Sequence, residues 1–394
     1  MKFLTTIIII FSIISCGENN KTSTENNTPE KTMEQQHLFV GTYTKKEGHV
    51  DGKAEGIHHF QFNPNDSKTT KENSKQNIYK TINPSYISFS PNKDFLYAVN
   101  ELNPNDGESG TVTSFSIDKK TKELTFLNQQ ITHNYAPCHI TLDATGKLAF
   151  VSNYVGGVFC TYQVMANGSL DKALQVFKFK GKGTTGRQEA SHPHSATVSP
   201  DNKHVYVADL GTDKVMCYKI ESNETGLVPT NQKFIKVQDG AGPRHMDFHP
   251  NGKLLYVLNE LDRTVNTFDY DSNNGSLTQK QSISTLPKDF SGFSFCAAIK
   301  VHPSGKFLYA SNRGHNSIVI FSIDPTTGML SYLETEPTLG DFPRDFSIDS
   351  SGDYLWVANQ NSDNIIKFKI DLTTGLLTKV SELECPTPVC LKFL

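Results

Sequence analysis

The chain has 394 residues, with Lys+Arg 38 against Asp+Glu 41 and a net charge of −3. This balance leaves no basic stripe for nucleic acid, and no apolar run is long enough for a spanning helix. Tyr (14) and Phe (25) are plentiful, as a strand-rich fold requires.

The N-terminus stands apart from the rest. Met1-Lys2, an apolar stretch from Ile7 to Ile14, and Ser15-Cys16 have the form of an export signal. Ile13-Ile14-Ser15-Cys16-Gly17 resembles a bacterial lipoprotein signal, which implies residues 1–16 as the signal with Cys16 as the lipid attachment point. Residues 17–36 are polar and read as a flexible tether. The domain from 37 to 394 is therefore expected outside the cytoplasm, held at a membrane only by the lipid.

From there one phrase returns six times: proline (once cysteine), alternating apolar residues, a turn, then an apolar-aromatic-apolar run ending in Asn or Asp. The copies begin at Pro84, Pro137, Pro193, Pro243, Cys296 and Pro343, and a seventh starts at Pro388 before the chain ends. The six intervals from Pro84 to Pro388 give a period of about 51 residues, as in propeller blades. Alternation around Ser90–Asp94 reads as a hairpin. Thr111–Ile117 and Leu124–Gln130 read as a third and fourth strand. Between such strands a second turn recurs at Asn167-Gly168, Thr225-Gly226, Asn274-Gly275, Thr327-Gly328 and Thr374-Gly375. The expected fold is all-β, a seven-bladed β-propeller, since a single blade cannot bury both of its faces. His37–Tyr43 supplies what the last repeat lacks and is expected to pair with Pro388–Leu394, closing the ring and removing exposed edges.

Six cysteines lie in the domain, none with CxxC spacing, and most occupy strand positions where buried free thiols are common. Cys385 and Cys390 are the nearest pair, should any bridge form.

The two ends of each hairpin meet at one mouth of the ring. The residue after Pro and the residue after Asn/Asp give Ser85 and Glu101, Cys138 and Tyr154, His194 and Leu210, Arg244 and Glu260, Ala297 and Arg313, Arg344 and Gln360. Three arginines around one hole call for an anion, which guanidinium grips in a two-pronged way. His194 and Glu260 are groups that can move a proton, and an arginine can stabilise an oxyanion. The set suits opening or closing the ester ring of an acidic sugar or acid. Arg244 with Glu260 also fits a structural ion pair, and His194 a core histidine. His139, His192 and His245 alternate away from the mouth and read as structural. The recurrent Asn100, Asn153, Asp209, Asn259, Asn312 and Asn359 read as caps on backbone groups. His245 and His249 lack a third ligand at metal spacing, so no metal or other cofactor is expected.

The motifs HPHS (192–195), ADLGTDKV (208–215), GPRH (242–245), LNE (258–260), SNRG (311–314), FPRDFSID (342–349) and ANQNSDNI (358–365) resemble the propeller lactonases. That family includes one type of bacterial 6-phosphogluconolactonase and the fungal carboxymuconate-lactonizing enzyme. The resemblance covers 37–394. It implies a carboxylic-ester hydrolase acting on a small anionic lactone as a monomer. By motif it carries proton transfer or water activation to His194 and Glu260, without saying which is the base. It carries oxyanion and anion binding to Arg244 and Arg313, and substrate binding to Arg344; Glu101 is expected as a rim residue. LYVLN and VYVAD also resemble the YVTN repeats of surface-layer propellers, so a binding scaffold is the alternative. An export signal on a lactonase sits awkwardly with a sugar-phosphate lactone made in the cytoplasm.

Overall fold

The computed structural model describes residues 35–63, 74–107, 109–221 and 226–394; the signal and most of the tether lie outside them. Seven four-stranded antiparallel sheets form the blades. The innermost strands are Tyr86–Phe89 in blade 1, Pro137–Leu142 in blade 2, Pro193–Val198 in blade 3, Pro243–Phe248 in blade 4, Phe295–Val301 in blade 5, Pro343–Ile348 in blade 6 and Pro388–Phe393 in blade 7. Each packs against the next, and the last against the first, around a central channel. Blades 1 to 6 run outward in chain order. Blade 7 is built from both termini, in the order Pro388–Phe393, Gln36–Thr42, Gly56–Phe62, Lys75–Lys80. Leu38 pairs with Phe393, Val40 with Leu391 and Gly41 with Cys390, so the expected clasp forms. In blade 1 the third and fourth strands are Thr111–Ile117 and Leu124–Ile131, one residue longer than read from sequence. A small hairpin, Lys46–Glu47 with Val50–Asp51, is an addition that the repeat did not announce.

Two repeat features seen in the sequence meet between blades. The aromatic of the phrase donates its hydroxyl to the turn glycine of the following blade: Tyr97 to Gly168 O (3.0 Å), Tyr206 to Gly275 O (2.7 Å), Tyr256 to Gly328 O (2.8 Å) and Tyr309 to Gly375 O (2.8 Å). Gly328 shows why the turn needs glycine. Its φ is +72°, and a Cβ there would lie 2.1 Å from Leu254 Cδ1. Most of the recurrent Asn/Asp side chains act as the expected caps, whereas Asn259 donates only to the side chains of Thr264 and Asn266. Asn153, Asn312 and Asn359 donate to the carbonyls of Thr132 (3.0 Å), Thr285 (3.1 Å) and Thr338 (3.0 Å), where the chain enters each blade. All six cysteines of the described residues are buried free thiols, Cys385 and Cys390 included.

The hairpin register carries one refinement. Pro137 pairs with Asn153, Pro193 with Asp209, Pro243 with Asn259 and Pro343 with Asn359, and the ladder then skips a residue. The skipped residue is Cys138, His194, Arg244 or Arg344. Each is the extra residue of a β-bulge, which breaks the alternation and re-aims its side chain. Blade 5 skips two, Ala297 and Ala298.

Tyr256→Phe keeps the ring packed in the core but strands the buried carbonyl of Gly328. It is expected to cost about 2 kcal/mol, seen as a fall in Tm of about 3 °C by calorimetry; an unchanged Tm would show that the inter-blade bond contributes nothing net.

Candidate active site

The bulges and the strand ends after Asn/Asp open onto a cavity of about 530 Å³ at one mouth of the channel. His194, Glu260, Arg313, Arg344 and Glu101 all line it. Arg244 lies just beneath, lining a small void with Glu101, Cys138 and Arg344. The six candidates named from sequence thus come together. Of the other slot positions, Cys138 and Tyr154 also line the cavity, while Leu210, Ala297 and Gln360 are buried packing residues.

Glu260 is the hub. Its carboxylate is buried, with Oε2 at 2.9 Å from both Arg244 Nε and Arg313 Nη2, and Oε1 at 3.2 Å from Arg187 Nη2. Burial alone would push this carboxyl up. The guanidiniums of Arg313, Arg244, Arg187 and Arg344 outweigh it and hold Glu260 below the usual carboxylate value. Its backbone is fixed by Gly242, whose carbonyl accepts from Glu260 N at 2.7 Å. Gly242 has φ +66°, and a Cβ there would meet Leu261 Cγ at 2.7 Å, so the crossing needs glycine.

The arginines are held from behind by carbonyls. Arg244 Nη1 donates to Ala297 O, and Arg313 Nη2 to Cys296 O at 2.8 Å. Burial and the charge of Arg313 push Arg244 down to about 10, which leaves it cationic at neutral pH. Arg344 Nη2 donates to Tyr43 Oη at 3.0 Å. Glu101 is buried, and its Oε2 has no hydrogen-bond partner among the described residues. Four arginines, Arg187, Arg244, Arg313 and Arg344, meet three acidic side chains, Glu260, Glu101 and Glu189, so basic groups outnumber acidic ones around the cavity. Glu189 at the lip is turned to His192 Nε2 (3.1 Å).

His194 is buried. Desolvation, then the charges of Arg244, Arg344 and Arg313, hold its pKa well below 6.5, so the ring is neutral at pH 7. Tyr154 meets it edge-on, with centroids 5.6 Å apart. Cys138 Sγ lies 3.8 Å from His194 Nδ1 and donates to His194 O at 3.3 Å. Burial pushes the Cys138 thiol up, so it stays protonated and is no nucleophile. His192 stacks on Tyr154 and donates from Nδ1 to Tyr154 O at 2.7 Å. His245 lies against Arg244 (Nη1 to Nε2, 3.3 Å) and edge-on to His139 and His194. These neighbours are supports, as their positions in the repeat imply.

Sequence reasoning missed four contributors. Arg187 comes from the loop between blades 2 and 3 and carries no repeat signal. Phe293 and Phe342, in connections between blades, and Phe295, at the start of the innermost strand of blade 5, form an apolar lip. Their one sequence mark is that they flank the Cys296 and Pro343 copies of the phrase.

Glu260→Gln removes the anion that separates the guanidiniums. It is expected to cost about 3–5 kcal/mol, part of which sulfate should restore by occupying the same place. A variant as stable as its parent in sulfate-free buffer would show that the ion cluster gives no net stabilisation.

Comparison with known proteins agrees with this geometry. The family described as "Lactonase, 7-bladed beta-propeller" matches residues 37–393. A protein of Bacillus subtilis named 6-phosphogluconolactonase is 36% identical over 357 residues, covering 90% of this chain and 97% of its own length. One of Formosa agariphila with the same name is 37% identical over 316 residues, 79% of this chain and 86% of that one. The solved structure titled as the Pseudomonas aeruginosa periplasmic gluconolactonase superimposes with a TM-score of 0.83 at 31% identity, covering 92% of this chain and 99% of that one. With its seven blades, its ring closure and this mouth, the chain belongs to the seven-bladed β-propeller lactonase family.

Proposed function

We propose that this protein hydrolyses a sugar-acid lactone, 6-phosphoglucono-δ-lactone being the substrate to which its relatives' names point. The observation that carries the reading is the pairing of a neutral, buried His194 with a cluster of four guanidiniums that suits an anionic substrate. Neutral His194 accepts a proton from water as the water attacks the lactone carbonyl. Arg313 and Arg344 hold the oxyanion that forms. The intermediate collapses, the ring C–O bond breaks, and the imidazolium returns its proton to the leaving ring oxygen. The product acid then ionises to solvent. Glu260, held ionised by arginines, is a poor base and serves to orient Arg313 and Arg187. The unpartnered Glu101 Oε2 suits a sugar hydroxyl.

The assay is hydrolysis of 6-phosphoglucono- and glucono-δ-lactone by residues 37–394, corrected for spontaneous opening. His194→Ala is expected to lose about 10²–10⁴-fold in kcat and Arg313→Ala about 10²–10³-fold. Because the base must be neutral and its pKa lies well below 6.5, the parent's kcat/KM should stay flat from pH 7.5 to 6.5 and fall only at lower pH. An acid limb centred at or above 6.5 would remove His194 from this role.

The export reading belongs here as well. Cys16 as a lipidated N-terminus would place the domain outside the cytoplasm, and the similarity to a structure titled periplasmic supports that setting. Expression in a bacterium with labelled palmitate should give a labelled membrane-bound protein, and Cys16→Ala should lose the label. An unlabelled parent would discard the lipid anchor.

A further inference from the structure

We infer that Arg187 reads a negative charge at the end of the substrate remote from the lactone carbonyl. This rests on the lactonase reading above.

Three observations lead to it. The first is that the loop carrying Arg187 is built rather than loose. Gln188, next in the chain, is wholly buried. Its Oε1 accepts from the backbone N–H of Thr184 and Thr185 (3.2 Å each), and its Nε2 donates to Leu210 O at 2.8 Å and Asp213 Oδ1 at 2.6 Å. Asp213 in turn accepts from Gly242 N at 2.8 Å. Gly242 is the residue that fixes Glu260, so the loop and the hub of the site share one anchor. A guanidinium presented this way is held in place before substrate arrives.

The second observation is depth. The Arg187 side chain is 47% exposed, against 2% for Arg244 and 6% for Arg313. The carbonyl under attack belongs at the deep end, beside His194, where water is excluded and fixed charges act most strongly. The far end of the same molecule then lies toward the lip, where Arg187 is.

The third is spare capacity. Arg187 lies over the Phe295 ring at 5.3 Å, and its hydrogen bonds to Tyr154 Oη (3.0 Å) and Glu260 Oε1 (3.2 Å) both leave from Nη2. A guanidinium carries five N–H donors. Glu260 is already shared with Arg244 and Arg313, so part of the charge of Arg187 is left for a ligand. Phosphate or carboxylate would take it in two-pronged fashion, which a lysine ammonium does not reproduce. The ligand class is therefore a sugar-acid lactone with an ionised group, above all a phosphate, at the carbon farthest from the ring carbonyl.

The test is selectivity. Binding of 6-phosphogluconate and of gluconate is measured by calorimetry on the parent, Arg187→Ala and Arg187→Lys, with kcat/KM for the two lactones beside it. Arg187→Ala should reduce the preference for the phosphorylated compound by about tenfold, and Arg187→Lys should recover only part of it. A preference that stays unchanged, whatever happens to the absolute rates, overturns the assignment. Titration with inorganic phosphate reads Arg187 apart from turnover. Phosphate binding weakened about tenfold in Arg187→Ala supports the role even if no lactone is hydrolysed, whereas phosphate binding untouched by the substitution overturns it.

Discussion

The mouth of this propeller depends on one backbone constraint, the extra residue inserted after the proline of the innermost strands. Pro pairs with Asn or Asp across the hairpin, and the ladder then skips His194, Arg244 or Arg344. Without the skip, strict alternation would carry the following residues of each strand to the opposite face. With it, a side chain is freed from the pleat, while the proline, which has no N–H to donate, sits at the strand end. The same device at Cys138 places a thiol behind the histidine. Repetition therefore delivers a ring of equivalent positions, and their chemistry varies from blade to blade.

Electrostatics then decides what those positions can do. The guanidiniums around Glu260 hold it ionised, and desolvation together with Arg244, Arg344 and Arg313 holds His194 neutral. The arrangement separates roles between two groups that residue type alone leaves equivalent. The carboxylate organises cations, and the imidazole remains free to take a proton. Burial favours the neutral imidazole and opposes the ionised carboxylate, so the arginines must outweigh it at Glu260.

Much of this was readable in the chain. The period, the glycine turns and the half-repeat at each end define seven blades and their closure. The tyrosines and glycines of the repeat were legible as strand and turn residues, though not as partners. Their bond spans neighbouring blades, and only stacking brings Tyr256 to Gly328. His194, Glu260, Arg244, Arg313, Arg344 and Glu101 were legible because they fall at the mouth slots of the repeat, whereas positions elsewhere in the repeat are apolar or turn-like.

What lies outside the repeat had no such mark. Arg187, Phe293 and Phe342 sit in connections whose length and path follow no period, and the hairpin Lys46–Asp51 is likewise an insertion. The sequence by itself determined the fold, the ring closure and the identity of the residues at the mouth, since each follows from local alternation and turn chemistry repeated in register. Only the tertiary structure decided which charges touch, how deep each lies and which group is left neutral. Those depend on distances between side chains of different blades and on burial in the channel, and neither is a property of any single stretch of chain.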